Sequence, residues 1–136
     1  TAPEAGVQGV RERVGSVRER APLKVRETAE KFRERIRQLL EGGELPEERL
    51  AQEVAILSDR LDSTEECVRL LAHCDHFIKV LGEEATPGRK LNFLLQEMNR
   101  EINTIGSKSA DVAIVEQVVE VKEEIERIRE QVQNIE

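Results

Sequence analysis

The sequence predicts an all-α protein: an elongated helical bundle with an antiparallel helical hairpin and an extended N-terminal helical arm. Apolar residues recur three and four positions apart through most of the chain, as they do along one face of a helix. Charged residues make up 36% of the sequence and aromatic residues only 2%. Because strands favour aromatic and β-branched residues, this composition favours long amphipathic helices over a sheet.

Residues 1–41 are predicted to form an Arg-rich helical arm, with ten Lys and Arg against seven Asp and Glu. Pro22 suits the first turn of a helix, so we expect a second helix to begin there and to stop at Gly42 and Gly43. The thin apolar stripe of this arm would suit contact with another subunit. The stripe consists of Val7, Val10, Val14, Val17, Ala21, Val25, Ala29, Phe32, Ile36 and Leu39.

Residues 42–136 are predicted to form a helical domain of four helices. Pro46 opens the first helix, and Ser63 or Thr64 can cap the second. Residues 82–88 form a loop, and a short turn at residues 106–109 joins the last two helices into the antiparallel hairpin. The expected seams are Leu50, Val54, Leu57 and Leu61; Cys67, Leu70, Cys74, Phe77 and Leu81; and a heptad-like run of Ile114, Val118, Val121, Ile125, Ile128, Val132 and Ile135.

Charge and cysteine content narrow the classes of function. The net charge of −7 argues against a general nucleic-acid coat, which would be basic, but does not exclude an RNA enzyme that holds a metal with carboxylates. No apolar run approaches the roughly 20 residues of a membrane span, so no membrane partner is expected. Cys67 and Cys74 lie two helical turns apart, too far for a mutual disulfide, and are read as buried thiols in a reducing compartment.

The segment of residues 88–109 is the most informative part of the chain. Its apolar seam is Leu91, Leu95, Met98, Ile102 and Ile105. One flank carries a stripe of Asn92, Gln96, Asn99 and Asn103, which are unusual on an ordinary solvated helix. The other flank carries Glu97 and Glu101, one turn apart. Phe93 lies off the seam and needs another surface, either a further domain or a second subunit, to bury it.

This segment resembles the C-terminal signature of the bacterial YicC/YloC family, G-R-(R/K)-L-D-F-L-x-Q-E-x-N-R-E-x-N-T. Residues 48–55, 69–77 and 131–136 also resemble that family. Two positions depart from it, because Asn92 stands where the family usually has Asp and His76 stands where Gln is expected. The resemblance is strongest over residues 88–109 and extends over most of the chain.

The resemblance implies a cytoplasmic, metal-dependent bacterial endoribonuclease that uses Mn²⁺ or Mg²⁺ and assembles as a homo-oligomer, a hexamer in the full-length form. Family members are longer than this chain, which begins at Thr1 without a methionine. The chain is therefore expected to be the C-terminal half of such a protein, without its N-terminal domain. By itself it is expected to cleave RNA weakly or not at all.

Glu97, Glu101 and His73 are the candidate catalytic residues. Two carboxylates at i and i+4 offer the oxygen ligands that Mg²⁺ and Mn²⁺ prefer, and Glu53 could complete a metal set of Glu53, Glu97 and Glu101. Alternatively, Glu97 and Glu101 form ion pairs with nearby Lys or Arg side chains at the helix surface. His73 shares a flank with Asp62, Glu66 and Arg69 and is a metal ligand, a general acid or base, or a boundary histidine with one hydrogen bond. A zinc site at residues 73–76 is disfavoured, because Cys74 points into the core and His76 points away.

The candidate RNA-binding residues lie on the same segment. Four cations suit RNA phosphates, and two amides suit bases or 2′-hydroxyl groups, although each could equally be an ordinary surface charge or bond a neighbouring backbone. The sequence shows no aromatic platform on which bases would stack. The candidates are Arg89, Lys90, Asn99, Arg100, Asn103 and Lys108.

Two other classes of function compete with the endoribonuclease. One is a non-catalytic helical oligomerisation or adaptor domain, in which the polar stripe serves subunit contacts. The other is a membrane-remodelling or signalling coiled coil, which the lack of a basic amphipathic face disfavours.

Overall fold

The computed structural model describes residues 1–40, 43, 45–83 and 85–134. Over these residues the chain forms five α-helices and no strand, which confirms the all-α class. The helices are α1 (Ala2–Leu40), α2 (Glu47–Leu61), α3 (Thr64–Glu83), α4 (Gly88–Ser107) and α5 (Val112–Gln133).

A four-helix bundle forms from α3, α4, α5 and the first half of α1. In this bundle α1 packs against α3 and α5, and α4 packs against the same two helices. The seams that the sequence predicts for α3, α4 and α5 face this core, and α4 and α5 form the expected hairpin. The largest fully buried side chains are Phe77, Leu70, Leu91, Leu95, Met98, Ile102, Ile105, Ile114, Ile125 and Ile128.

The expectation that the first part of the arm lies along another subunit is wrong. Val7, Val10, Val14 and Val17 are at most 1% exposed and belong to the core of their own chain. The stripe looks thin because valine is small, yet α3 and α5 cover it from two sides. The division of the chain at residue 41 stays a prediction.

The second half of α1 packs against α2, and Lys24 near its start also lies 3.7 Å from Asp111, just before α5. Among the described residues α2 packs on no other helix, and Leu50 is its one buried residue. Val54, Leu57 and Leu61 are half-buried, while Ile56 is 53% exposed. This part of the molecule is therefore a helical hairpin with an incompletely covered apolar face.

Pro22 does not begin a new helix, contrary to the sequence prediction. It lies inside the continuous helix α1 and is exposed. A proline within a helix loses one backbone hydrogen bond and costs about 3 kcal/mol. Packing against the bundle before Pro22 and against α2 after it offsets that cost. The expected stop at Gly42 lies outside the described residues, and α1 ends at Leu40.

The helix boundaries otherwise follow the sequence closely. The Asp62 carboxylate accepts a hydrogen bond from the Thr64 amide at 3.0 Å, at the start of α3. Asp111 is the N-cap of α5 and accepts from the Ile114 amide at 3.1 Å. The last expected seam residue, Ile135, lies outside the described residues. No described helix is long and apolar enough to cross a membrane.

Candidate active-site groove between α3 and α4

Two cross-helix ion pairs join α3 and α4 along one polar side of their contact, and we call the surface between the two helices there the α3–α4 groove. Arg69 Nε on α3 donates to Glu101 Oε1 on α4 at 2.9 Å. Lys108 Nζ, just after α4, donates to Glu66 Oε2 at 2.8 Å and to the Asp62 carbonyl oxygen at 2.9 Å. Glu66 and Glu101 are each only 7% exposed. The groove therefore contains buried carboxylates with their cationic partners in place.

The ion pairs set the protonation states in this groove. Burial raises the pKa of Glu66, but the hydrogen bond from Lys108 and the positive charges of Lys108 and Arg69 bring that pKa below its ordinary value. The hydrogen bond to Glu101 raises the pKa of Arg69. Glu66 is therefore ionised and Arg69 is cationic at neutral pH.

The three candidate catalytic residues all belong to this groove. Glu97 and Glu101 share one face of α4, and His73 follows Arg69 by one turn on α3. Because α3 and α4 run antiparallel, the register that places Arg69 opposite Glu101 places His73 opposite Glu97. His73 is half-buried. Glu97 is 21% exposed in its side chain and pairs with Arg100 at 3.4 Å, as the surface alternative predicted.

Glu53 is not brought to this groove. It lies on α2, which packs on α1 alone, and it accepts from Arg49 Nε at 3.2 Å. Within residues 1–40, 43, 45–83 and 85–134, no group of three or more His, Cys, Asp or Glu side chains is placed to hold a metal ion. The Glu101 carboxylate is also engaged by Arg69. The described residues of one chain therefore do not fit a complete metal centre built from the predicted set.

The residues of the tetrad at positions 73–76 point in different directions. Cys74 is fully buried, and Asp75 pairs with Arg11 of α1 at 3.2 Å. His76 lines a separate groove with Arg89, Lys90, Phe93 and Leu94. The side chains of this tetrad therefore belong to different surroundings.

The predicted RNA-binding residues fall into four places. Arg89 and Lys90 lie in the first turn of α4, and Lys108 lies inside the ion-paired groove. Arg100 is 73% exposed in its side chain beside Glu97. Asn99 is half-buried and Asn103 is exposed, on the flank of α4 turned away from Glu97 and Glu101. The structure thus gives Lys108 a structural partner that the sequence analysis did not identify.

The family of the chain is decided by comparison with known proteins. Residues 17–136 match the family model described as Endoribonuclease YicC-like, C-terminal. The chain belongs to the YicC-like family. The YicC-like match begins within α1 and includes α3 and α4, and therefore the whole groove.

Two curated relatives share the YicC name. The chain is similar to the probable endoribonuclease YicC of Clostridioides difficile, with 51% identity over 113 residues that cover 82% of this chain and 39% of the relative. It is also similar to the probable endoribonuclease YicC of Haemophilus influenzae, with 42% identity over 106 residues that cover 76% of this chain and 37% of the relative. The matched part of the chain thus spans about two-fifths of these relatives' length.

Arg69 and Glu66 are the groove residues of this YicC-like chain whose roles the sequence analysis missed. Their flank was visible in the sequence, because Asp62, Glu66, Arg69 and His73 recur at helical spacing. Spacing along one helix does not show which other helix packs against it. It therefore could not predict that Arg69 pairs with Glu101 or that Glu66 pairs with Lys108.

Proposed function

We propose that this chain is the C-terminal, RNA-cleaving part of a metal-dependent, homo-oligomeric endoribonuclease whose catalytic residues line the α3–α4 groove. The observation that carries the proposal is the antiparallel register of that groove, which sets His73 opposite Glu97 beside the Arg69–Glu101 pair. Membership of the YicC-like family supports RNA as the substrate, since both relatives are named probable endoribonucleases.

Hydrolysis of a phosphodiester needs a base, an acid and a cation. A base takes the proton from the attacking water, and an acid gives a proton to the leaving oxygen as its bond to phosphorus breaks. Glu97 and His73 are the two groups proposed for these roles, because the register set by the Arg69–Glu101 pair brings their positions opposite each other on adjacent helices. Arg69, which Glu101 holds in place, offers positive charge to the phosphate as negative charge develops in the transition state.

A divalent metal, Mn²⁺ or Mg²⁺, is part of the proposal because of the activity that the family resemblance implies. The described residues of this chain do not bring together a complete ligand set. We therefore propose that other parts of a longer protein or a second subunit supply ligands, and we assign no chemical step to the metal. The same resemblance supports assembly as a homo-oligomer, a hexamer in the full-length form, in the cytoplasm.

A non-catalytic oligomerisation or adaptor domain is the second candidate. The hairpin of α2 and the second half of α1 favours it, because Ile56 and Leu39 are 53% and 69% exposed there. Exposed apolar side chains on a two-helix hairpin are suited to contact with another protein surface.

RNA cleavage with and without Mn²⁺ separates the two candidates. It is measured for a longer YicC-like protein containing this chain and for the chain alone. Glu97→Gln keeps the side-chain shape and should lower the cleavage rate tenfold or more, if Glu97 contributes at least ~1.4 kcal/mol in the transition state. Glu116→Gln, at an exposed position of α5, is the matched control and should cleave normally.

Cleavage that does not respond to Glu97→Gln would remove Glu97 from the site and leave His73 as the better candidate. No cleavage by either protein with Mn²⁺, together with a change in assembly for Ile56→Ser, would favour the adaptor domain. The isolated chain is expected to show weak cleavage or none.

A further inference from the structure

Phe93 is an aromatic side chain with an unusual degree of exposure. It is 60% exposed, whereas Phe77 is fully buried and Phe32 is half-buried. Phe93 lies in a groove of about 440 Å³ at the start of α4. The other described lining residues are Leu94 and three residues with basic side chains. A solvent-exposed aromatic ring that lines a groove is a candidate for stacking against a ligand.

The described residues with ionisable side chains that line this groove, which we call the Phe93 groove, are all basic. Arg89 and Lys90 precede Phe93 by four and three residues, so they occupy the same face of α4 one turn earlier. Helical side chains lean toward the N-terminus, which brings the ring toward these two cations. His76 approaches from α3, and none of the described lining residues is acidic. In a chain with a net charge of −7, this is a locally basic site.

We propose that the Phe93 groove binds one nucleotide of a single-stranded RNA, with its base stacked on the Phe93 ring and its phosphates against Arg89 and Lys90. This inference rests on the proposed function, because it names how the RNA substrate is held. Nucleobases have apolar faces and carry phosphates, so they match a ring flanked by cations.

The size of the groove favours a nucleotide over a protein partner. A stable protein interface buries about 800 Å² on each side, far more than one ring and one leucine edge provide. A groove of a few hundred cubic ångströms is the size that small ligands occupy. Phe93 also lies one helical turn before Glu97, about 6 Å along α4. A base on Phe93 would therefore place the adjoining phosphodiester near the α3–α4 groove.

Tryptophan fluorescence tests the stacking directly, because the chain contains no tryptophan or tyrosine. In Phe93→Trp the introduced indole is the single strong emitter, and an oligouridine should quench it as a base stacks on it. Inorganic polyphosphate, a polyanion without bases, should leave the emission unchanged. Val112→Trp is the matched control, because Val112 is 70% exposed on α5, and its emission should not respond to oligouridine.

Affinity measurements complete the test. Phe93→Leu keeps apolar bulk but removes the ring face, and should weaken oligouridine binding about fivefold or more. Arg89→Gln should weaken oligouridine binding. It should also reduce the magnitude of the slope of log affinity against log salt concentration by about 1, as expected for the loss of one phosphate contact. Phe93→Trp should bind at least as well as the wild-type chain.

The inference is overturned if polyphosphate quenches as strongly as oligouridine, or if Phe93→Leu binds oligouridine as tightly as wild type. It is also overturned if the emission of Phe93→Trp changes with protein concentration alone, since a second copy would then cover the groove. Normal cleavage by Phe93→Leu would reject the stacking role while the proposed function stands. Base-dependent quenching without any metal-dependent cleavage by the longer protein would reject the proposed function and leave the nucleotide site.

Discussion

Arg69 on α3 donates a hydrogen bond of 2.9 Å to the Glu101 carboxylate on α4, which is 7% exposed. The sequence indicated that Glu101 either holds a metal or pairs at the helix surface. The structure instead gives Glu101 a buried ion pair that joins two helices of the bundle. Glu101 therefore contributes to stability as well as to the candidate site.

Glu101→Gln should lower the free energy of unfolding by about 1–3 kcal/mol, because a buried charge-assisted hydrogen bond is weakened. The lower part of that range is expected, since the Arg69 side chain is 49% exposed and water screens it. Urea denaturation measures the change. Glu97→Gln is the control and should shift the free energy of unfolding by only ~0–1 kcal/mol. Equal effects of the two substitutions would contradict this account of Glu101.

Asp111 should make the fold sensitive to acid. Hydrogen bonds from Arg20 and from the Ile114 amide, together with nearby positive charge, lower the pKa of Asp111 from 3.8 to about 2. A carboxyl whose pKa is depressed on folding stabilises the protein above its unfolded pKa, and this stability is lost as the pH falls through the folded pKa. The melting temperature should therefore fall as the pH drops from about 4 to about 2.

Asp111→Asn should make that loss shallower, because the amide can still cap α5 but no longer titrates. Asp62 and Glu66, whose pKa values are also lowered, should preserve a residual dependence on pH. Asp59→Asn on the exposed surface of α2 is the control and should retain the full acid sensitivity. An identical pH profile for Asp111→Asn and wild type would argue against the linkage.

Two glycines near the N-terminus should respond oppositely to alanine. A Cβ at Gly6 would lie 2.8 Å from Glu124 Oε1 and from Ile128 Cγ1 on α5, whereas a Cβ at Gly9 meets nothing within 4 Å. Gly6→Ala should therefore cost about 1–3 kcal/mol through overpacking. Gly9→Ala should gain roughly 0.5–1 kcal/mol through helix propensity. Chemical denaturation of both variants tests whether the start of α1 packs in the bundle, and equal responses would contradict that packing.

Both cysteines should be inert in the native protein. Burial raises the pKa of Cys74 to about 12 and also raises the pKa of Cys67. At pH 8 a thiol with such a pKa is thiolate in only about one molecule in ten thousand. A thiol-specific reagent should therefore react slowly with the folded chain and rapidly after unfolding in urea. Native labelling at the unfolded rate would show that the core opens or that these thiols are accessible.

The helices could be read from the sequence because their signals are local. Seam residues such as Leu70 and Ile125 repeat at helical spacing, and the turns before α3 and α5 carry Asp, Ser and Thr. Pro22 shows where local reasoning fails. The preference of proline for a helix start was overridden by packing on both sides of it, which depends on residues far away in the chain.

The candidate site could be predicted only in part, because it depends on packing between residues that are far apart in the chain. Helical spacing placed Glu97 with Glu101 and His73 with Arg69, each pair on one helix. It could not place α3 against α4, and it grouped Glu53 with carboxylates that its own helix never approaches. Helical spacing also did not show which carboxylates are already ion-paired with Lys or Arg side chains.

The sequence by itself determined the all-α class, the positions of the seams and the family, since these depend on periodicity and on the residues of the signature. Only the tertiary structure decided that Val10 and Val14 belong to the core, that Glu101 is paired with Arg69, and that Phe93 remains in water. Periodicity shows which residues share a face of one helix, but burial and charge pairing depend on which other helix covers that face.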